Sequence, residues 1–305
     1  MNILSLVQTA LELSLICSLT VLALFLSYSM LNVCDLSTDG CFTLGAAVGA
    51  MVAIAGHPYL AILAAMGAGV LSGFITALLQ TKMGIDSLLA GIIVNTGLYS
   101  INIAVMGGSS LLNMNKTETV FTKARALLQG TFLAEQYKLL VAAIAVIAVV
   151  VFLALFLHTR LGLAIRATGD NAAMVRASSI NPAFTITVGL CISGALTALS
   201  GGLLAQYQKS SDINVGTGMV TIALASLIIG ETLVGKRTMV RRVLGVVFGS
   251  CLYRFIVAVA LRFNVPAAAM KLVSALIVAV AISMPAIRAK FAFEQRKHNA
   301  RKEVH

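Results

Sequence analysis

Long apolar stretches, most of them near the ~20 residues that cross a hydrocarbon core as a helix, divide this chain at roughly 10–31, 40–56, 59–81, 86–107, 137–157, 182–206, 216–234, 243–262 and 266–285. Lipid offers the backbone no hydrogen-bond partners, and these runs lack the alternation of barrel strands, so spanning helices are what remains. Only 11% of residues are charged, against about 25% in ordinary soluble domains. The sequence therefore reads as all-α: a polytopic helical membrane protein, one transmembrane domain over 1–305, with about 8–9 membrane segments.

Basic residues orient the runs, because short cytoplasmic loops collect Lys and Arg. Lys82, then Arg160, Arg166 and Arg176, then Lys236, Arg237, Arg241 and Arg242, then the tail 286–305 fall on one side. Loop 108–136, the turn at 209–212 and the link 262–266 fall on the other. The net charge of +11 is absorbed by this asymmetry, and no soluble basic domain exists to bind nucleic acid. The first run lacks a basic flank and a small-residue cleavage site, and reads as a retained span.

Parity is consistent from Lys82 onward and conflicts before it. With a cytoplasmic N-terminus, run 40–56 must begin and end outside. Its shortness and its glycines (Gly40, Gly45, Gly49 and Gly56) favour such a re-entrant or broken helix buried in protein. The alternative is an external N-terminus with 40–56 as a full span. Asp39-Gly40 opens this run, and Asn214-Val-Gly216-Thr-Gly218 opens run 216–234. Interrupted, glycine-led segments in matching positions of two halves point to substrate pathways, or to close helix packing through small residues. In the external loop, an amphipathic stretch over 121–128 predicts a small helix that either receives a partner protein or packs on its own spans.

Catalytic chemistry is absent: no phosphate-binding loop, metalloprotease or nucleophile-elbow motif occurs, and the histidines and cysteines show no metal spacing. The sequence predicts no catalytic residue, no metal and no cofactor in this chain. Cys34 and Cys41 lie close enough in sequence for a disulfide, though free thiols are the preferred reading. Acidic residues are too few within the spans for a proton relay. Asn95, Tyr99 and Asn102 stand at i, i+4 and i+7 on one helical face, as a polar lining for a solute or as interhelical hydrogen-bonding groups. Arg254 falls in the middle of a span, where a lone charge costs at least about 2.5–3.5 kcal/mol; pairing with Glu12 or Glu231, the preferred reading, or reaching a wet cavity would relieve it.

The polar insertion at 158–181 needs an aqueous or protein-facing home. It runs Arg160-Leu-Gly-Leu-Ala-Ile-Arg-Ala-Thr-Gly-Asp-Asn-Ala-Ala-Met-Val-Arg-Ala-Ser-Ser-Ile180. This resembles the cytoplasmic coupling segment of ABC importer permeases of the branched-chain amino-acid/ribose family. Gly162, Arg166, Ala167, Gly169, Asn171 and Ile180 match that pattern, and Ser179 stands where glycine is usual. Resemblance continues through Ser193-Gly-Ala-Leu-Thr-Ala-Leu-Ser-Gly-Gly202 and Gly218-Met-Val-Thr-Ile-Ala-Leu-Ala-Ser-Leu-Ile-Ile-Gly230, covering nearly the whole chain. Glu231 replaces a glycine, and with 36–44 it resembles a branch assigned amino-acid substrates, aromatic ones included; Glu231 could equally partner Arg254 or the basic loop 236–242.

The resemblance implies a permease subunit in the bacterial cytoplasmic (inner) membrane, pairing with a second copy. A cytoplasmic ABC ATPase would carry ATP and Mg, and an external solute-binding protein would deliver a small polar organic solute. Arg166, Gly169, Asp170, Asn171, Ala172, Ala173, Met174 and Arg176 would then contact the ATPase. A ribose or nucleoside permease and an ion-coupled secondary transporter are the alternatives.

Overall fold

The computed structural model describes residues 3–129, 136–235 and 238–262, with isolated positions between 272 and 283. The last apolar run at 266–285 and the basic tail lie outside those described residues, apart from these isolated positions. Among the described residues of continuous segments, eleven α-helices, one π-helical turn and two short strands follow one another. α1 (Ile3–Leu24) continues through a π-helical turn (Phe25–Met30). Then come α2 (Thr38–Ile54), α3 (Pro58–Thr81), α4 (Ser87–Val105), β1 (Leu111–Asn113), α5 (Val120–Leu127) and α6 (Tyr137–His158). α7 (Arg160–Asp170), α8 (Ala172–Ala177), α9 (Pro182–Gln208), β2 (Ser210–Asp212), α10 (Met219–Val234) and α11 (Met239–Arg262) complete the described chain.

Among the described residues, six helices are long and apolar enough to cross a membrane: α1 with its π turn, α3, α4, α6, α9 and α11. α2, with 17 residues, and α10, with 16, are shorter. β1 and β2 pair antiparallel and tie the loop after α4 to the loop after α9.

α9 is the central post. Glycine, serine and threonine recur along it, and small residues let neighbouring backbones approach to van der Waals contact. Gly45 and Gly49 of α2 lie against Ala198 and Gly202, so α2 runs parallel to α9. Gly69 and Gly73 of α3 lie against Gly194 and Leu190, so α3 runs antiparallel. Ser193 Oγ donates to the Ala23 carbonyl at 3.0 Å and Ser200 Oγ to the Ile16 carbonyl at 2.7 Å, so α1 is antiparallel too.

These directions correct the expected N-terminal topology. With 158–181 taken as cytoplasmic, α9 runs outward, α1 runs inward, and α1 begins on the external side. α2 is then a continuous helix climbing outward from the middle of α9, not a segment that starts and ends outside. The physical reason for the miss is plain: residues before Lys82 include no Lys or Arg, so the charge rule has nothing to act on.

Candidate functional site

The insertion folds as two helices with separate caps. Thr159 Oγ1 accepts from the Gly162 N–H at 3.2 Å and starts α7. Asn171 Oδ1 accepts from the N–H groups of both Ala173 and Met174 at 3.0 Å, which ends the first helix's direction and starts α8. α8 stops in a Schellman turn: Ser179 N–H donates to Arg176 O and Ile180 N–H to Val175 O, both at 3.2 Å. Ser179 takes the left-handed conformation that turn demands, φ +62°, which explains why glycine is usual there.

The segment is braced against the membrane helices. Ile165 and Val175 are buried. Thr168 and Thr185 share a hydroxyl hydrogen bond of 2.8 Å, joining α7 to α9. Gly169 lies so close to the Met30 carbonyl that a Cβ would collide with it, coupling α7 to the end of the π turn. What this bracing leaves outward is Ala172, Ala173 and Met174, the last 63% exposed, beside exposed Asp170 and Arg176. Arg166 is half-buried on the braced side. The result is a small apolar knob with both signs of charge at its rim, held against α9 and the turn that ends α1.

A second constellation sits deep in the helices. The first turn of α2 and the N-terminus of α10 meet there, the one helix leading outward and the other inward. Asp39 joins them: Oδ2 accepts from Gly218 N–H and Oδ1 from Val220 N–H, each at 2.8 Å. A carboxylate thus satisfies orphan amides at one helix start while lying in the first turn of another, and both dipole ends favour it. Thr43 Oγ1 accepts from Gly216 N–H at 3.2 Å. The irregular stretch 213–218 is tolerated at this depth because protein surrounds and bonds it. The sequence relates Asp39-Gly40 and Asn214–Gly218 only as openings of two interrupted segments; their contact is a finding of the fold and adds Asp39 to the site.

The polar face of α4 divides. Asn102 is buried and its Nδ2 donates to the Gly40 carbonyl at 3.2 Å, an interhelical bond holding α4 to α2. Asn95 is half-buried, and its Oδ1 borders Gly40, where a Cβ would meet it at 2.7 Å. Tyr99 points away, 52% exposed.

Glu231 pairs with Arg242 rather than Arg254. The Arg242 guanidinium donates to Glu231 Oε1 at 2.6 Å and to Ser29 Oγ at 2.8 Å, and Ser29 Oγ donates to the same carboxylate oxygen at 2.7 Å. Arg254 lies three turns further along α11, roughly 18 Å at ~1.5 Å per residue, and its Nη2 donates to Cys17 Sγ at 2.8 Å instead. Arg242 belongs to the basic stretch 236–242, the other partner the sequence offers for Glu231: Glu231 precedes Gly235 by about one helical turn and Arg242 follows Thr238 by about one turn, so the hairpin sets them opposite. Cys34 and Cys41 are free thiols, and Cys41 Sγ donates to the Gly194 carbonyl at 3.4 Å. Among the described residues no group of His, Cys, Asp and Glu is arranged to hold a metal ion.

Comparison with known proteins follows the same outline. Residues 6–282 match the family described as the branched-chain amino acid transport system permease component. A tyrosine transport system permease protein of Clostridioides difficile is 34% identical over 266 residues, covering 87% of this chain and 86% of that one. An uncharacterized protein of Rickettsia prowazekii is 29% identical over 281 residues, 90% of this chain and 96% of its own length. The ribose import permease protein of Escherichia coli is 26% identical over 226 residues, 73% of this chain and 67% of that one. No solved structure matches the chain. A multi-pass helical architecture and a match over most of its length place this chain in the branched-chain amino-acid/ribose permease family of ABC transport systems, as a transport subunit and not an enzyme.

Proposed function

We propose that this chain forms the translocation pathway of an ATP-driven importer for an amino acid, with an aromatic or branched-chain substrate. The single observation that carries the reading is the knob at Ala172, Ala173 and Met174. Exposed apolar side chains on a short helix braced against α9 and the α1 turn suit a groove on a cytoplasmic ATPase, with Asp170, Arg166 and Arg176 setting register. Mg and ATP belong to that partner. Force on the knob would pass through Thr168–Thr185 and Gly169–Met30 into the spans. A second copy of the chain completes the pathway, and an external solute-binding protein loads it in the bacterial inner membrane. The tyrosine permease relative favours the amino-acid substrate; the ribose permease relative, less similar, is the reason a sugar stands second.

Two substitutions test the assignment. Met174→Glu places a charge at the knob's centre and should cut co-purification of the ATPase at least tenfold while membrane insertion is unchanged; undiminished association would remove the coupling role. Asn95→Leu should lower uptake several-fold with the complex intact, because Asn95 is the half-buried polar group beside Gly40 that Asn102 leaves free for a passing solute. Normal uptake would make Asn95, like Asn102, a packing contact.

A further inference from the structure

Three spans, α3, α6 and α9, enclose an open apolar groove of about 540 Å³, with Met66, Val70, Ile144, Phe152, Ile192 and Leu199 among its walls. Along α6 it runs from Val141 to Phe152, about 16 Å at ~1.5 Å per residue. That is half of the ~30 Å hydrocarbon thickness, so the groove has the length of one acyl chain. A spanning helix would need a groove of full depth; a single acyl chain needs this one.

The upper end of the groove is polar in a specific way. Each of the three wall helices carries a tyrosine at its outer end, and each tyrosine carries a cation. Lys123 Nζ lies 5.6 Å from the Tyr59 ring on α3, the Arg125 guanidinium 5.9 Å from Tyr137 on α6, and Lys138 Nζ 4.8 Å from Tyr207 on α9. The cations are held in place. Val120 N–H, at the start of α5, donates to Gln206 Oε1 at 2.9 Å, and Gln206 Nε2 donates to the Pro58 carbonyl at 3.2 Å, linking α5, α9 and α3. Val120 itself lines the groove, so α5 sits directly over its mouth. Glu118 approaches Lys123 at 3.6 Å, an exposed pair of little strength.

We infer that this groove binds an anionic phospholipid of the outer leaflet, its acyl chain between α3, α6 and α9 and its phosphate on Arg125 and Lys138. Apolar walls of acyl-chain length fix the chain, and the cations at its outer end, Arg125 over Tyr137 and Lys138 next to it in sequence, fix the sign of charge. The tyrosines orient the cations and sit at the depth where aromatic belts form.

The chain contains no tryptophan, which supplies a silent background for fluorescence. Phe152→Trp and, separately, Ile144→Trp place a reporter in the groove of the full-length protein; Ile147→Trp, exposed on α6 outside the groove lining, is the control. In nanodiscs, phosphatidylglycerol with brominated acyl chains should quench the groove reporters at a mole fraction at least threefold lower than brominated phosphatidylcholine does. Ile147→Trp should not distinguish the two lipids. Adding Arg125→Glu and Lys138→Glu should abolish the preference while circular dichroism is unchanged. Equal quenching by both lipids, or a preference that survives charge reversal, would overturn the headgroup assignment. No quenching at either groove reporter would show the groove filled by protein and overturn the site itself.

Discussion

α9 and α6 cross the same membrane, yet one is built from Gly189, Ser193, Gly194, Thr197, Ser200, Gly201 and Gly202, and the other almost wholly from Val, Ala, Ile, Leu and Phe. The less hydrophobic helix is the buried one. α9 contacts protein on nearly every face, whereas α6 turns Ile147, Val151 and Leu155 outward. In water, hydrophobicity marks the interior; in lipid, both surroundings are apolar and the mark is lost. What distinguishes the interior is small size, which permits close backbone approach, and polarity, which needs partners found only in protein.

The sharpest way to break that contrast is a side chain placed where α2 meets α9. A Cβ on Gly45 would meet the backbone of Ala198, which cannot rotate aside. Gly45→Leu should destabilise by about 3 kcal/mol or more and remove the monodisperse peak in size-exclusion chromatography. A variant that elutes normally would mean the two helices are not in contact. Next in size is Arg242→Ala, which takes the guanidinium from a buried carboxylate and should cost about 3 kcal/mol, with the double change Arg242→Met and Glu231→Leu recovering most of it. A thermal midpoint equally low in the double variant would argue against the pair. Asp39→Leu, which strips the α10 amides of their acceptor, should cost about 1–3 kcal/mol, and Asp39→Asn less, since one carbonyl oxygen remains. Identical melting of the two variants would show that the bridge between the short helices contributes little. On α6, by contrast, Leu155→Ala should change the midpoint by less than about 0.5 kcal/mol equivalent.

How much of this was readable beforehand follows from the same physics. Apolar runs announce spanning helices because lipid permits little else, and the insertion at 158–181 announces itself by polarity. Lys and Arg give direction only from residue 82 onward, so the start of α1 was left between two sides, and its antiparallel packing on α9 favours the external start that stood as the alternative. The knob residues were named through the family resemblance; the caps at Thr159 and Asn171 that shape their helices are local to the insertion. Asp39 is not, because its partners at Gly218 and Val220 come from a distant stretch of chain and only packing of α2 against α9 brings them within reach. The Arg254 assignment went astray for want of helical register, although the hairpin between α10 and α11 supplied it for Arg242.

The central claim is that a rigid cytoplasmic knob lets ATP hydrolysis elsewhere drive this membrane domain. Uptake of labelled amino acid into proteoliposomes holding the chain, its ATPase and the loaded binding protein tests it most directly. The account predicts uptake that requires ATP on the ATPase side, ignores imposed proton and sodium gradients, and disappears with Met174→Glu. Uptake that follows an ion gradient without ATP, and is indifferent to Met174→Glu, would contradict it.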